Sequence, residues 1–380
     1  MAGIYIHIPF CKQACSYCNF YFSTSLSNKE RFLESLHREI ALSKDYLDQE
    51  KIETIYFGGG TPSLLSHLEM ASIIREIERH HDISSLQEFT IEANPDDLSL
   101  AKIKEFGSLK SLGLNRFSIG VQSFFDEDLD YMNRVHNSEE ALSSIRRVQD
   151  AGFENITIDL IYGTPTLNDE RWHQNLEKTF DLNIPHISSY ALTVEAKTTL
   201  ENKIKKGIAT PVDEEQSARQ FQTLMEEMRK AGYEQYEISN FAKDKKYAVH
   251  NSNYWFGKKY LGLGPSAHSF NEMSRQWNIP NNIQYINSIR NGKIPHELEL
   301  LTEAQKVNEH IMTSLRTIWG LNISGFEFVS KEHQSAITDS IRQEIKKLDA
   351  SLYSLNNSIL TLTDAGKLFA DKIAASLFIS

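Results

Sequence analysis

Cys11, Cys15 and Cys18 are the only thiols in a chain of 380 residues, and they sit together in the string Cys11-Lys-Gln-Ala-Cys15-Ser-Tyr-Cys18. Thiols kept only for burial would be scattered, so this spacing points to ligation. Three cannot all pair as disulfides, and without an export signal they stay reduced, which leaves a metal ion or an iron–sulfur cluster as their use. A cubane cluster normally takes four cysteines. Three thiolates therefore leave one iron open to a small molecule. The alternative is a structural zinc site completed by His7 or a remote histidine, but such sites usually bring their ligands as two spaced pairs, and no second pair is present.

The elements that hold this loop follow from periodicity. Runs rich in Ile, Phe, Tyr and Thr predict strands over 4–8, 52–57, 88–92, 116–120, 156–161 and 186–192. Apolar spacings of three and four predict helices over 29–46, 67–79, 98–106, 138–151, 169–180 and 213–231, several opening on Ser, Asp or Asn caps. Six strand–helix alternations give an α/β fold with parallel strands, as an open doubly wound sheet or a partial barrel. The unusual residues favour the barrel, where reactive groups sit past the carboxyl ends of successive strands. The first strand runs into the cysteine loop and the second into Gly58-Gly59-Gly60-Thr61-Pro62. The third ends on Glu92-Ala93-Asn94-Pro95, the fourth on Gly120-Val121-Gln122-Ser123, and the fifth holds Asp159 ahead of Tyr162-Gly163-Thr164-Pro165. The glycines would let backbone amides approach a charged ligand, or form a plain turn. Glu92, Gln122, Arg134 and Asp159 are groups that an ordinary core does not need; each has a ligand or counter-charge, or lies on a solvated rim.

The CxxxCxxC order, with Tyr17 before the last cysteine, resembles the cluster loop of the radical S-adenosylmethionine (SAM) enzymes. The resemblance implies a 4Fe-4S cluster whose open iron chelates the amino and carboxylate groups of SAM, and an electron from the cluster that releases a 5′-deoxyadenosyl radical. GGGTP resembles the family's stretch that contacts the SAM amino group, which carries that role to Gly59, Gly60 and Thr61. The strings SLGLNRFSIGVQSF, MNRVH and DLIYGTP resemble the oxygen-independent coproporphyrinogen oxidase branch, over most of the chain. That likeness implies a partial (β/α)6 radical-SAM barrel with Tyr5, Tyr17, Glu92, Gln122, Arg134 and Asp159 lining the SAM site. The carboxylates and amide would meet ribose hydroxyls, and Arg134 the SAM carboxylate.

Within this branch, the decarboxylating enzymes carry a longer amino-terminal segment and a fourth cysteine two residues after the third. Here Cys18 is followed by Asn19-Phe20, and Cys11 stands ten residues from the start of the sequence. The second distinguishing string is His250-Asn-Ser-Asn-Tyr254-Trp255. A neutral imidazole is a good axial ligand for haem iron, and aromatics offer flat apolar surface for a porphyrin. HNxxYW resembles the haem-binding motif of the HemW haem chaperones, which implies His250 as ligand and Tyr254 and Trp255 as walls. In isolation the string would read as a core histidine beside packing aromatics. His268, in the turn Gly262-Leu-Gly264-Pro-Ser-Ala-His268, reads as a structural histidine or a weaker ligand.

These readings divide the chain into a barrel over 1–235, a connecting segment with the HNxxYW motif over 236–295, and an accessory domain over 296–380. In the last, helices over 302–318 and 335–348, a short strand over 358–362 and a final helix to Ser376 resemble the winged-helix-like carboxyl-terminal domain of this branch. It carries no evident chemistry and would cover the barrel mouth or meet a partner. The expected function is a haem chaperone that passes haem to apo-haemoproteins such as respiratory cytochromes and carries a SAM-bound 4Fe-4S cluster. The alternative is oxidative decarboxylation of coproporphyrinogen III. No side chain is assigned a catalytic role.

Composition sets the outer bounds. With 40% apolar and 24% charged residues the chain is an ordinary globular protein, and a formal charge of -11 argues against a nucleic-acid partner. No run of 18 apolar residues and no basic leader occurs, so the expectation is a cytoplasmic protein without a transmembrane segment. Peripheral membrane contact and a homodimer are compatible with the sequence.

Overall fold

The computed structural model describes residues 1–379. Its centre is a run of six strands: β1 (Ala2–Ile8), β2 (Ile52–Gly59), β3 (Glu88–Ala93), β4 (Arg116–Gln122), β5 (Asn155–Tyr162) and β6 (His186–Ala191). Each pairs in parallel with the next, in the order of the sequence. A doubly wound sheet reverses its strand order partway; this one does not, and the architecture is a partial barrel. The strands are buried on both faces, as apolar strands wrapped by crossover helices must be.

The intervening helices start on the expected caps. Ser66 and Asn137 form capping boxes with Glu69 and Glu140, and the side chains of Ser99, Asn168 and Asp213 accept backbone N–H groups of their first turns. Around the six central strands two short helices fall where the periodicity gave none, Asp126–Tyr131 and Thr199–Lys205. Both lie in the loops at the barrel mouth and pack on a small apolar cluster of Leu129, Met132, Ile161, Leu192 and Leu200.

The stretch read as a connection extends the sheet at both edges. β7 (Glu234–Glu237) and β8 (Asn240–Ala242) add antiparallel to β6, while β9 (Tyr260–Leu263) pairs in parallel with β1. β10 (His268–Phe270), β11 (Ser274–Asn278) and β12 (His296–Leu300) then continue antiparallel outward. A sheet of 12 strands results, open at β12 and β7. The β9 edge is fastened by one buried carboxylate. Glu39, on the helix Lys29–Leu42, accepts from the backbone of Gly264 (2.7 Å), the amide of Asn278 (2.5 Å) and the hydroxyl of Tyr285 (2.5 Å). Burial pushes its pKa up to about 7 against these three donors.

Beyond β12 a second core forms around Val307, Ile311, Leu315, Ile341, Ile345 and Leu360. Its helices are Glu303–Leu315, opened by a Thr302–Gln305 capping box, Lys331–Ile345 and Ala370–Ser376. The short strand expected there is one of three, β13 (Leu321–Asn322), β14 (Tyr353–Asn356) and β15 (Ile359–Leu362), paired antiparallel in the order β13-β15-β14. This α-rich, winged-helix-like unit meets the barrel beside β7, where Ile318 donates to the Tyr236 carbonyl and Ile238 to that of Arg316. No helix among the described residues is long and apolar enough to cross a membrane.

Candidate functional site

Past the carboxyl ends of β1 to β6 lies a cavity of about 460 Å³. Cys11, Cys15 and Cys18 line it, with Tyr17 between them. The loop that carries the thiols has little regular structure of its own and is tied down from outside. Ser16 donates to the Met132 carbonyl (2.9 Å), Asn133 to that of Ala14 (2.7 Å), and Gln13 to that of Asn133 (2.9 Å). Lys12 pairs with Asp96 at 2.7 Å and also with Asp97, at the end of β3. The MNRVH string is thus a clasp on the thiol loop. Gly60 closes the other side, where a Cβ would stand 2.6 Å from the Phe10 carbonyl, 2.8 Å from that of Ile8 and 3.0 Å from Cys11 Sγ. Its lack of a side chain is required by the thiol loop, apart from any ligand.

Gly59, Gly60, Thr61, Glu92, Gln122, Arg134 and Asp159 line the same cavity, so the strand ends do deliver these side chains to one place. Glu92 is held by the Tyr56 hydroxyl (2.8 Å) and the Gly59 amide (3.2 Å). Burial raises it to about 7 and Asp159 to about 6. Gln122 ends β4 in a left-handed conformation (φ 68°), an uncommon one for a residue with a side chain, and its carboxamide stands over Gly120. Arg134 donates to Cys15 Sγ (3.3 Å), Asn94 Oδ1 (2.7 Å) and the Gly120 carbonyl (2.8 Å). Its Nε is buried with no partner among the described residues. Sequence reasoning passed over Asn94, which bridges Arg134 to Thr61 (3.2 Å), and over Tyr190, which enters the cavity from β6. An Asn-Pro step two residues after Glu92 was the available signal for the first.

No group of three or more His, Cys, Asp or Glu side chains among the described residues is arranged to hold a single metal ion. The three thiols line one cavity with room beside them, which suits a cluster of several irons with a ligand on it. The free donor of Arg134 and the carboxylates of Glu92 and Asp159 suit a ligand with an anionic group and several hydroxyls. The donor set fits a cluster and SAM together.

Tyr5 and His250 are not brought to this cavity. Tyr5 borders two others, of about 390 and 950 Å³. His250 lines the smaller of these, on the short helix Val249–Trp255, and is only 2% exposed. Its Nδ1 is hydrogen-bonded to Thr54 Oγ1 (2.8 Å) and its Nε2 to the Tyr254 hydroxyl (2.9 Å). The ring stacks on Tyr56 at 5.0 Å, and burial drives its pKa down to about 3. Gly3 makes room for it, since a Cβ there would stand 2.8 Å from Thr54 Oγ1 and 3.3 Å from the imidazole. The larger cavity is walled by Tyr254, Trp255, Phe256, Tyr260, Phe270 and Phe328, and Phe20, 68% exposed, borders both it and the thiol cavity.

The Radical SAM superfamily profile matches residues 5–179, from Tyr5 into the helix after β5. The chain is 34% identical to "Heme chaperone HemW" of Bacillus subtilis across 98% of either chain. It is also 34% identical to the protein of that name from Lactococcus lactis, over 90% of this chain and 89% of the relative. Among solved structures, coproporphyrinogen III oxidase (HemN) of Escherichia coli superposes with a TM-score of 0.84 over 99% of this chain and 90% of its own, at 21% identity, a likeness of fold. Strand order, thiol cavity and end-to-end likeness agree, and the chain belongs to the HemW family of the radical SAM superfamily.

Proposed function

We propose that this protein is a haem chaperone of the cytoplasm: it binds haem and hands it to apo-haemoproteins such as respiratory cytochromes. The observation that carries the reading is the likeness to "Heme chaperone HemW" relatives over 98% of the chain, which takes in the aromatic cavity and the carboxyl-terminal unit as well as the barrel.

Cys11, Cys15 and Cys18 would hold a 4Fe-4S cluster, which when bound supplies a low-potential electron and one open iron position for SAM. The chain's own groups do the rest. Arg134, anchored by Asn94 and Gly120, keeps Nε aimed at an anionic group and lends a positive charge beside Cys15. Glu92 and Asp159 accept hydroxyls from the barrel wall, and Gly59, Gly60 and Thr61 form the floor behind the thiols. Of the sequence candidates for haem iron, His250 becomes available only by giving up one of its two hydrogen bonds.

The second reading is oxidative decarboxylation of coproporphyrinogen III, favoured by the full set of polar groups around the thiol cavity. One experiment separates them. Anaerobically reconstituted protein is loaded with haemin and mixed with an apo-haemoprotein, while parallel samples receive coproporphyrinogen III, reductant and SAM. The chaperone reading expects stoichiometric haem uptake and acceptor-dependent transfer, with no protoporphyrinogen formed. Protoporphyrinogen appearing in step with 5′-deoxyadenosine, without haem uptake, would reverse the assignment.

A further inference from the structure

The 950 Å³ cavity combines three features that the barrel cavity lacks. It is rich in aromatic side chains, it is large enough for a drug-sized or larger planar ligand, and it presents imidazoles that nothing else occupies. His268, on β10, lies over Trp277 with its ring plane at 26° and centroid at 6.0 Å, and it is solvent-accessible. His310, on the helix Glu303–Leu315, stands edge-on between Phe326 (5.8 Å) and Phe328 (5.6 Å). Among the described residues neither ring has a hydrogen-bond partner; both are shifted toward the neutral form by burial, and for His268 also by Arg275. The cavity's third histidine differs, since His7 Nε2 bonds the Tyr21 carbonyl at 2.9 Å and Nδ1 faces the Tyr5 hydroxyl at 3.4 Å.

Beside the carboxylates Glu272 and Glu309, the cavity also holds cations suited to carboxylates. Lys306 has no carboxylate partner among the described residues, and its ammonium rests 3.5 Å from Met273 Sδ. Arg275 pairs with Glu309 at 2.8 Å, and its Nε is buried and free. A flat apolar body, a metal seeking a neutral nitrogen and peripheral carboxylates together describe haem.

We propose that this cavity seats haem, with the axial bond supplied by His268 of β10 and with the carboxyl-terminal unit closing over it through His310 and Lys306. His250 then acts one layer back, fixing Tyr254 as a wall of the cavity. The inference rests on haem being this protein's ligand and says where haem sits. His268 ranks as the weaker ligand in the sequence because a glycine-rich turn looks structural; a Cβ on Gly262 would lie 2.0 Å from the His268 carbonyl, and this close contact fixes the backbone that carries the ring.

The test is a haemin titration of the reconstituted full chain, read by Soret position and affinity. His268→Ala should weaken binding at least tenfold and move the Soret band, and added imidazole should restore the original spectrum. Thr313→Trp, which fills the cavity from the helix that also carries His310, should abolish binding. Unaltered protein that binds haemin, with His268→Ala matching it in affinity and spectrum, overturns this site and leaves the chaperone reading standing. Unaltered protein that fails to bind haemin overturns the chaperone reading itself.

Discussion

Replacing Tyr254 by phenylalanine discriminates most sharply between the two histidines that could meet haem iron. The substitution keeps the aromatic wall and deletes one atom, the hydroxyl bonded to His250 Nε2 at 2.9 Å. A buried hydrogen bond of this kind contributes about 1 kcal/mol, and leaving the imidazole nitrogen unpartnered adds a cost of similar size, so stability should fall by about 1–2 kcal/mol. Urea unfolding measures that loss. Were His250 the ligand, the hydroxyl would compete with iron for Nε2, and its deletion would tighten haem binding by about 1 kcal/mol, or about fivefold. With His268 as ligand the competition does not exist. Haemin affinity of Tyr254→Phe should then match the unaltered protein within about twofold. A fivefold gain, with the Soret band retained, would refute the assignment to His268.

Cys15→Ser should lower bound iron and the brown absorption of reconstituted protein to near background, and it also removes the sulfur acceptor of Arg134; iron analysis and visible spectra check this. Lys306→Glu should weaken haemin binding about tenfold while leaving haem dimethyl ester unaffected, because only the free propionates meet the ammonium. Glu39→Ala strands the Gly264 amide, the Asn278 amide and the Tyr285 hydroxyl, and should cost about 3 kcal/mol in urea unfolding as the β9 edge loosens. Glu92 sits near 7 when folded against an ordinary 4.5, so its contribution to stability is full below about 4.5 and is lost as pH rises to about 7. The ionised form is the stronger acceptor of ligand hydroxyls, so SAM affinity should rise between about pH 6 and 8, and a Glu92→Gln variant should show a flat profile by calorimetry.

Much of the barrel was legible because its strands are fully buried and read as continuous apolar runs, and because their ends carry residue types with no packing use. Cys11, Cys15, Cys18, Glu92 and Asp159 announce themselves in that way. The strands of residues 234–300 did not, since β8 has three residues and β12 is mostly exposed and polar, so neither periodicity nor hydrophobicity marks them. What holds that edge is the Glu39 carboxylate, whose partners lie more than two hundred residues along the chain. His250 illustrates the same limit. Its sequence neighbours suggested a ligand, but its surroundings are set by Thr54 and Tyr56 of β2, which no local pattern connects to residue 250.

Those same contacts give the two cavities a common partition. Glu92 faces the thiol cavity and accepts from Tyr56; Tyr56 stacks on His250; His250 holds Tyr254, which faces the aromatic cavity. Ligands on the two sides would therefore rest against one shared wall. Thermodynamic reciprocity requires that whatever factor SAM applies to haem affinity, haem applies to SAM affinity. For a barrel that would hold a cluster and SAM on one side of that wall and haem on the other, any shift of the wall that filling one chamber brings about is returned in equal measure by filling the other.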